Sequence, residues 1–119
     1  MITKIDKPWG YELLWAETEY YVGKILHINK GEKLSLQYHR IKDETIMVIS
    51  GEMRFEVEEG GKMIVLILKA YEPYHIKPLT KHRMEAISDC DVLEVSTPHL
   101  GDVVRLEDKY GRVDKDINK

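Results

Sequence analysis

Gln37, His39, Glu44 and His82 are the residues whose types and spacing could hold a divalent cation. Gln37 and His39 sit two apart in Lys33-Leu34-Ser35-Leu36-Gln37-Tyr38-His39, where apolar and polar residues alternate. Strand side chains alternate faces, so Ser35, Gln37 and His39 share one side and Leu34, Leu36 and Tyr38 the other. Glu44 opens the next apolar run, and an intervening turn can fold its carboxylate back toward the pair. His82 shares a strand face with Met84 and Ala86, which aims it inward, where an imidazole needs partners. An amide oxygen, two imidazoles and a carboxylate form a four-ligand N/O set that requires no thiolate. Zn suits such a set, as do Mn, Fe, Co and Ni. Gln37 has a second reading, as an amide that orients His39 by hydrogen bonding.

Other charged residues carry weaker signals. Lys24 lies on the same strand face as Val22, Leu26 and Ile28. A charge on an apolar face is costly unless it is paired or functional. It reads either as a lysine whose ammonium reaches water at the rim or as a contact to substrate or phosphate. Arg40 and Lys42 are turn charges beside the ligand cluster, placed to attract an anionic substrate. His75 reads as a rim substrate contact or a plain surface residue. His27 and His99 read as structural or solvated. Cys90 stands between Asp89 and Asp91, whose charges disfavour a thiolate, so it is not a nucleophile here.

The elements that must position these groups are short and extended. Alternating or apolar runs at 11–16, 20–28, 33–39, 44–49, 52–58, 63–68, 82–87 and 91–96 are separated by turn residues. Gly60-Gly61 is a hairpin signal between two of them. The run 63–68 shows no alternation and reads as buried on both faces or of unassigned register. Pro73 and Pro78 bracket a segment read as irregular, and the polar tail after Arg112 reads as frayed. No amphipathic helix longer than two turns is visible. About eight to ten strands imply a sandwich or a small barrel, and periodicity does not choose between them.

With 119 residues and a net charge of −3, the expectation is one domain over residues 1–119, large enough for a core of its own. Near-balanced charge gives no reason to expect nucleic acid or an anionic membrane as partner. One cysteine excludes an internal disulfide and fits a reducing compartment. With no apolar signal region at the start and no run long enough to span a bilayer, the expected location is the cytoplasm.

The spacing Gly31, Gln37-x-His39, Glu44, Gly51 resembles the first cupin motif, with Gln37 where many cupins carry their first His. Residues 74–85 resemble the second motif, with Leu79 in place of the Gly of its Pro-x-Gly turn. A narrower resemblance covers almost the whole chain. Lys7-Pro8-Trp9-Gly10-Tyr11-Glu12, the run 31–39 and the ending 102–112 are similar to the type II mannose-6-phosphate isomerase domain, often fused behind a mannose-1-phosphate guanylyltransferase. The chain departs from that pattern in the gap Arg40-Ile41-Lys42-Asp43, which lacks the usual His and Arg, and at Thr45-Ile46, where His-Trp is usual.

The resemblance implies an all-β cupin fold, a double-stranded β-helix or jelly-roll barrel. It implies a metal-dependent aldose–ketose isomerase interconverting mannose 6-phosphate and fructose 6-phosphate. Gln37, His39, Glu44 and His82 would be the ligands. Lys24, Arg40, Lys42 and Arg105 are the choices for the phosphate, with Arg105 alternatively holding a carboxylate such as Glu107. The base is open among Glu85, Lys24 and a hydroxide held by the metal. Trp9 and Tyr11 read as packing or dimer residues. A homodimer formed by strand pairing is expected, and a separate sugar nucleotidyltransferase is a possible partner. Two rivals stay open: a metal- and sugar-binding module without catalysis, and another cupin enzyme such as a sugar epimerase or dioxygenase.

Overall fold

The computed structural model describes residues 2–113 and is built from eleven strands, with no helix among the described residues. They are β1 (Thr3–Lys7), β2 (Gly10–Glu17), β3 (Val22–Ile28), β4 (Leu36–Tyr38), β5 (Glu44–Ser50), β6 (Met53–Glu59), β7 (Lys62–Leu68), β8 (Pro73–Ile76), β9 (His82–Ala86), β10 (Cys90–Ser96) and β11 (Val104–Glu107). They form two antiparallel sheets, ordered β1-β2-β3-β10-β5-β8 and β11-β4-β9-β6-β7. From β3 onward every consecutive pair of strands except β6–β7 switches sheets, the arrangement of a jelly roll closed around its core.

Alternation in the sequence becomes alternation in burial. Ile46 and Val48 of β5 and Met53, Phe55 and Val57 of β6 are fully buried, while their neighbours face outward. Phe55 packs edge-on to Tyr74 at 5.1 Å between ring centres, and Trp9, Leu26, Ile28, Met84 and Val92 complete the same core. Truncating Phe55 to Ala would cost about 3–5 kcal/mol, the range for deleting a buried aromatic ring. Trp9 is therefore a packing residue. Tyr11 stacks on His27 at 4.8 Å on the outer face, where His27 also bonds Asp91 at 2.7 Å.

Two turns owe their shape to backbone conformation. Gly51 has a φ of +84°, and a Cβ there would stand 2.2 Å from the Asp89 carbonyl oxygen, so no side chain fits without displacing backbone. Leu79 adopts a φ of +68°, the left-handed conformation of the glycine it stands in for. Its N–H donates to the His39 carbonyl at 2.6 Å, tying this turn to the first histidine segment.

The structure departs from several sequence expectations. Residues 73–76, read as irregular, form β8, since Pro73 opens an edge strand whose missing N–H costs no ladder bond. The run 63–68 is not buried on both faces: Ile64, Leu66 and Leu68 turn to the core, and Met63, Val65 and Ile67 lie on the opposite, outer face and are exposed. Strand 33–39 shrinks to Leu36–Tyr38, with Lys33 held only by an isolated bridge to Glu85. β1, in polar sequence, and β11, only four residues long, were not foreseen. Apart from Val113, which is exposed, the tail expected to fray lies outside the described residues.

Candidate active site

The second sheet carries His82 at the start of β9, directly across from Gln37 of β4, and His39 follows one residue after β4 ends. Glu44 begins β5 in the first sheet. The ligand atoms of His39, Glu44 and His82 all lie within 4.8 Å of one another, and all three residues are buried. The His39 and His82 rings are 5.5 Å apart, and His39 Nε2 is 3.0 Å from Glu44 Oε2.

Both imidazoles are fixed from behind. His39 Nδ1 donates to the Asp102 carbonyl, and His82 Nδ1 donates to the Thr80 carbonyl at 2.9 Å. That assignment leaves Nε2 of each ring with a lone pair aimed at the centre, the arrangement in which outer partners orient metal-ligating histidines. Burial pushes the His82 pKa down, which favours the neutral, ligating form. Burial would raise the Glu44 carboxyl, but the close approach of His39 and the Lys42 charge outweigh it and hold Glu44 well below the usual carboxylate range. His39 Nε2, Glu44 Oε2 and His82 Nε2 are nevertheless buried without an aligned hydrogen-bond partner. Three orphaned buried donor atoms converging on one point are what a cation would satisfy. The donor set therefore fits a divalent metal. Gln37 faces the same cavity, and its Oε1 accepts a hydrogen bond from Ser35 Oγ at 2.7 Å. A second lone pair on that oxygen leaves it able to serve as a ligand or as an orienting amide.

The loop after His39 is organised by Asp102, whose carboxylate accepts the backbone N–H groups of Arg40, Ile41 and Lys42. Burial works to raise the Asp102 carboxyl, but these donors bring it down to about 2. The same residue thus shapes the loop with its side chain and holds His39 with its carbonyl.

Beside the trio runs a cavity lined by charge. Lys24 projects into it as its strand face demands and pairs with Glu12 at 3.2 Å. Lys42, read as a solvated turn charge available to substrate, is instead buried. Its ammonium lies 3.5 Å from Glu44 and 3.0 Å from Glu94, so its charge is already engaged by two carboxylates. Arg105, across β11–β4 from Gln37, also lines the cavity, and its buried Nε has no hydrogen-bond partner. Glu107 is not its partner: among the described residues the cation beside Glu107 is Arg83, at 3.9 Å.

Three sequence candidates fall outside this cavity. Glu85 points to the outer face, 3.8 Å from Arg54, because the inward positions of β9 belong to His82, Met84 and Ala86. Arg40 is exposed and does not line the cavity. His75 is exposed beside Asp43 at 2.6 Å, on β8 and in a separate surface depression. Sequence reading missed Glu94, Glu12, Lys7 and Arg112 among the lining residues. The signal for Glu94 was present: Cys90, Val92, Glu94 and Ser96 share one buried face, the pattern that singled out Lys24.

The chain matches the family described as mannose-6-phosphate isomerase, C-terminal, over residues 1–108. It is 34% identical over 95% of its length to the mannose-1-phosphate guanylyltransferase ManC of Salmonella typhimurium, of which it spans 24%. It is also 34% identical over 92% of its length to the xanthan biosynthesis protein XanB of Xanthomonas campestris, again spanning 24% of that protein. The chain thus covers about a quarter of the curated relatives it matches. Among solved structures, oxalate decarboxylase from Bacillus subtilis superposes with a TM-score of 0.79 at 15% identity, over 98% of this chain and 33% of that one. The capsular polysaccharide assembling protein CapF from Staphylococcus aureus gives 0.74 at 17% identity, over 90% and 33%. These likenesses show the fold, a double-stranded β-helix. With its two sheets, its converging histidines and glutamate and a family match over nearly its whole length, the chain belongs to the mannose-6-phosphate isomerase C-terminal family of cupin domains.

Proposed function

We propose that this chain is a metal-dependent aldose–ketose isomerase that interconverts mannose 6-phosphate and fructose 6-phosphate. The observation that carries the reading is the set of buried, unpartnered ligand atoms of His39, Glu44 and His82 beside a charged cavity. These residues would hold a divalent ion, with Zn first and Mn, Fe, Co or Ni also suited, and Gln37 stands ready as a fourth ligand. Once bound, such an ion supplies Lewis-acid polarisation of sugar oxygens. Arg105 is the group for the phosphate, because it is the cavity guanidinium without a carboxylate partner among the described residues. Lys7, also in the lining, adds a second cation, while Lys24 is neutralised by Glu12 and shapes the wall.

A coupled assay on mannose 6-phosphate, with Zn, Mn, Co and Ni each added to folded and metallated protein, tests the reading. Turnover with at least one metal is expected, and silence with all of them ends it. The guanylyltransferase relatives support a companion proposal, that a separate sugar nucleotidyltransferase is a partner, which co-purification from the source cells tests. The reading takes the chain to be cytoplasmic, in line with its buried free Cys90. It also takes the chain to be a homodimer, since β7 ends its sheet with an exposed apolar row.

A further inference from the structure

Glu94 has no place in the ligand set, yet it is 4% exposed, lies at the middle of β10 and faces the cavity. A buried acid needs a reason. The other cavity acids have one. Glu12 is paired with Lys24, and Glu44 belongs to the trio. Glu94 stands directly across the β10–β3 ladder from Lys24, but that ammonium is turned to Glu12. Its partner is Lys42, and this one ammonium also reaches Glu44, so a single lysine headgroup separates the Glu94 carboxylate from the trio. Glu94 Oε2 is buried 3.0 Å from the Lys42 ammonium, with no aligned hydrogen bond from any other group among the described residues. Resting on the isomerase reading above, we infer that Glu94 is the catalytic base and acid that carries the proton between C1 and C2 of the open-chain sugar.

The chemistry balances on this one carboxylate. Glu94 takes the proton from C2, and the C–H electron pair becomes the C1=C2 bond while the carbonyl π pair moves onto O1. A proton passes from O2 to O1. The O2 pair then re-forms a carbonyl at C2, the C1=C2 pair takes the proton back from Glu94, and C1 gains the hydrogen that C2 lost. No oxidant or reductant is consumed. Burial pushes the Glu94 carboxyl up and the Glu44 charge adds to this, against the pull of Lys42 and Lys24, in the direction that suits a group that must accept and return a proton near neutral pH. Lys42 would hold the carboxylate in place as a positioning residue and keep it beside the reacting carbons.

The test compares wild type with Glu94→Gln, which keeps size and shape, and Glu94→Asp, which keeps the acid but withdraws it. Turnover of mannose 6-phosphate, exchange of the C2 hydrogen from C2-deuterated substrate, KM and zinc content are read on each folded protein. Expected for Glu94→Gln is a fall in kcat of at least about 100-fold with loss of C2 exchange, KM and zinc content staying within about threefold. Glu94→Asp should fall between. A Glu94→Gln protein that keeps more than about a tenth of wild-type kcat, or whose loss lies in KM or zinc content, overturns the assignment. If Glu94→Gln does not fold, Glu94→Asp decides: a tenfold or larger fall in kcat at unchanged KM supports it, and wild-type kcat overturns it. Wild type without turnover or C2 exchange refutes the isomerase reading and the assignment with it, whereas active wild type beside an equally active Glu94→Gln refutes the assignment alone.

Discussion

At the residue scale the site is a matter of which buried charges have partners. Lys42 bridges Glu44 and Glu94 in the interior, and removing one member of a buried ion cluster leaves uncompensated charge behind. Lys42→Ala should therefore destabilise the fold by roughly 3–5 kcal/mol, measured by urea unfolding, a much larger effect than an exposed lysine would give. Near the cavity mouth Arg112 grips Asp108 at 2.9 and 3.0 Å. Burial would raise the Asp108 carboxyl, but the Arg112 bonds outweigh it and lower its pKa. A carboxyl lowered on folding adds stability that is present above its unfolded pKa, near 4, and lost as pH falls through the folded value. Asp108→Asn should thus flatten the acid limb of stability against pH below about 4, and an unchanged limb would contradict the role. Lys24 was legible in sequence because a lone charge breaks an apolar face. Glu94 offered the same cue, but Val95 and Ser96 beside it blurred the alternation, so the face became clear only when β10 was seen packed between β3 and β5. Lys42 was misread because a turn by composition suggests water, and nothing local shows that Asp102, sixty positions away, tucks that turn inward.

At the scale of elements, strands with clean alternation were recovered, as for β5 and β6, where each inward residue is apolar or a candidate ligand. Strands made by long-range pairing were not. β11 exists because it lies along β4, and β1 because it lies along β2; β1 has a single apolar residue, and the alternation of β11 spans only four residues. The Gly60-Gly61 hairpin was visible because turn chemistry is local. The turn at Leu79 shows a sequence departure absorbed by the backbone. A non-glycine residue held in the left-handed region costs roughly 1–2 kcal/mol, while glycine costs about 0.4–1 kcal/mol through the unfolded chain. Leu79 is 63% exposed and loses little packing when removed. Leu79→Gly should therefore raise stability by about 0.5–1 kcal/mol in thermal or urea unfolding. A destabilised variant would mean that the leucine side chain contributes something the turn geometry does not. Gly51→Ala should act in the opposite direction, since its Cβ meets backbone at 2.2 Å.

At the scale of the whole molecule the charge is unevenly spread. The chain carries −3, yet Lys7, Lys24, Lys42, Arg105 and Arg112 outnumber the acids in the cavity lining. With Lys24, Lys42 and Arg112 engaged by carboxylates, Lys7 and Arg105 would carry the attraction for the proposed anionic sugar, and salt would screen it. The KM for mannose 6-phosphate should rise as salt increases from about 10 mM to 0.5 M, with kcat changing far less; a KM indifferent to salt would contradict steering by this cavity. The jelly roll itself was foreseen through motif spacing rather than periodicity, because a sandwich and a barrel alternate alike. What the fold contributes is the meeting of residues some forty positions apart: the first sheet brings Glu44, the second brings His39 and His82, and each imidazole is locked by a carbonyl behind it. The most direct test of that meeting is equilibrium dialysis against Zn(II) with metal analysis of wild type and His82→Ala, their folds compared by circular dichroism. About one zinc per wild-type chain, and at least about 100-fold weaker binding by the folded variant, is the predicted result. Equal zinc binding by both proteins, or none by folded wild type, would contradict it.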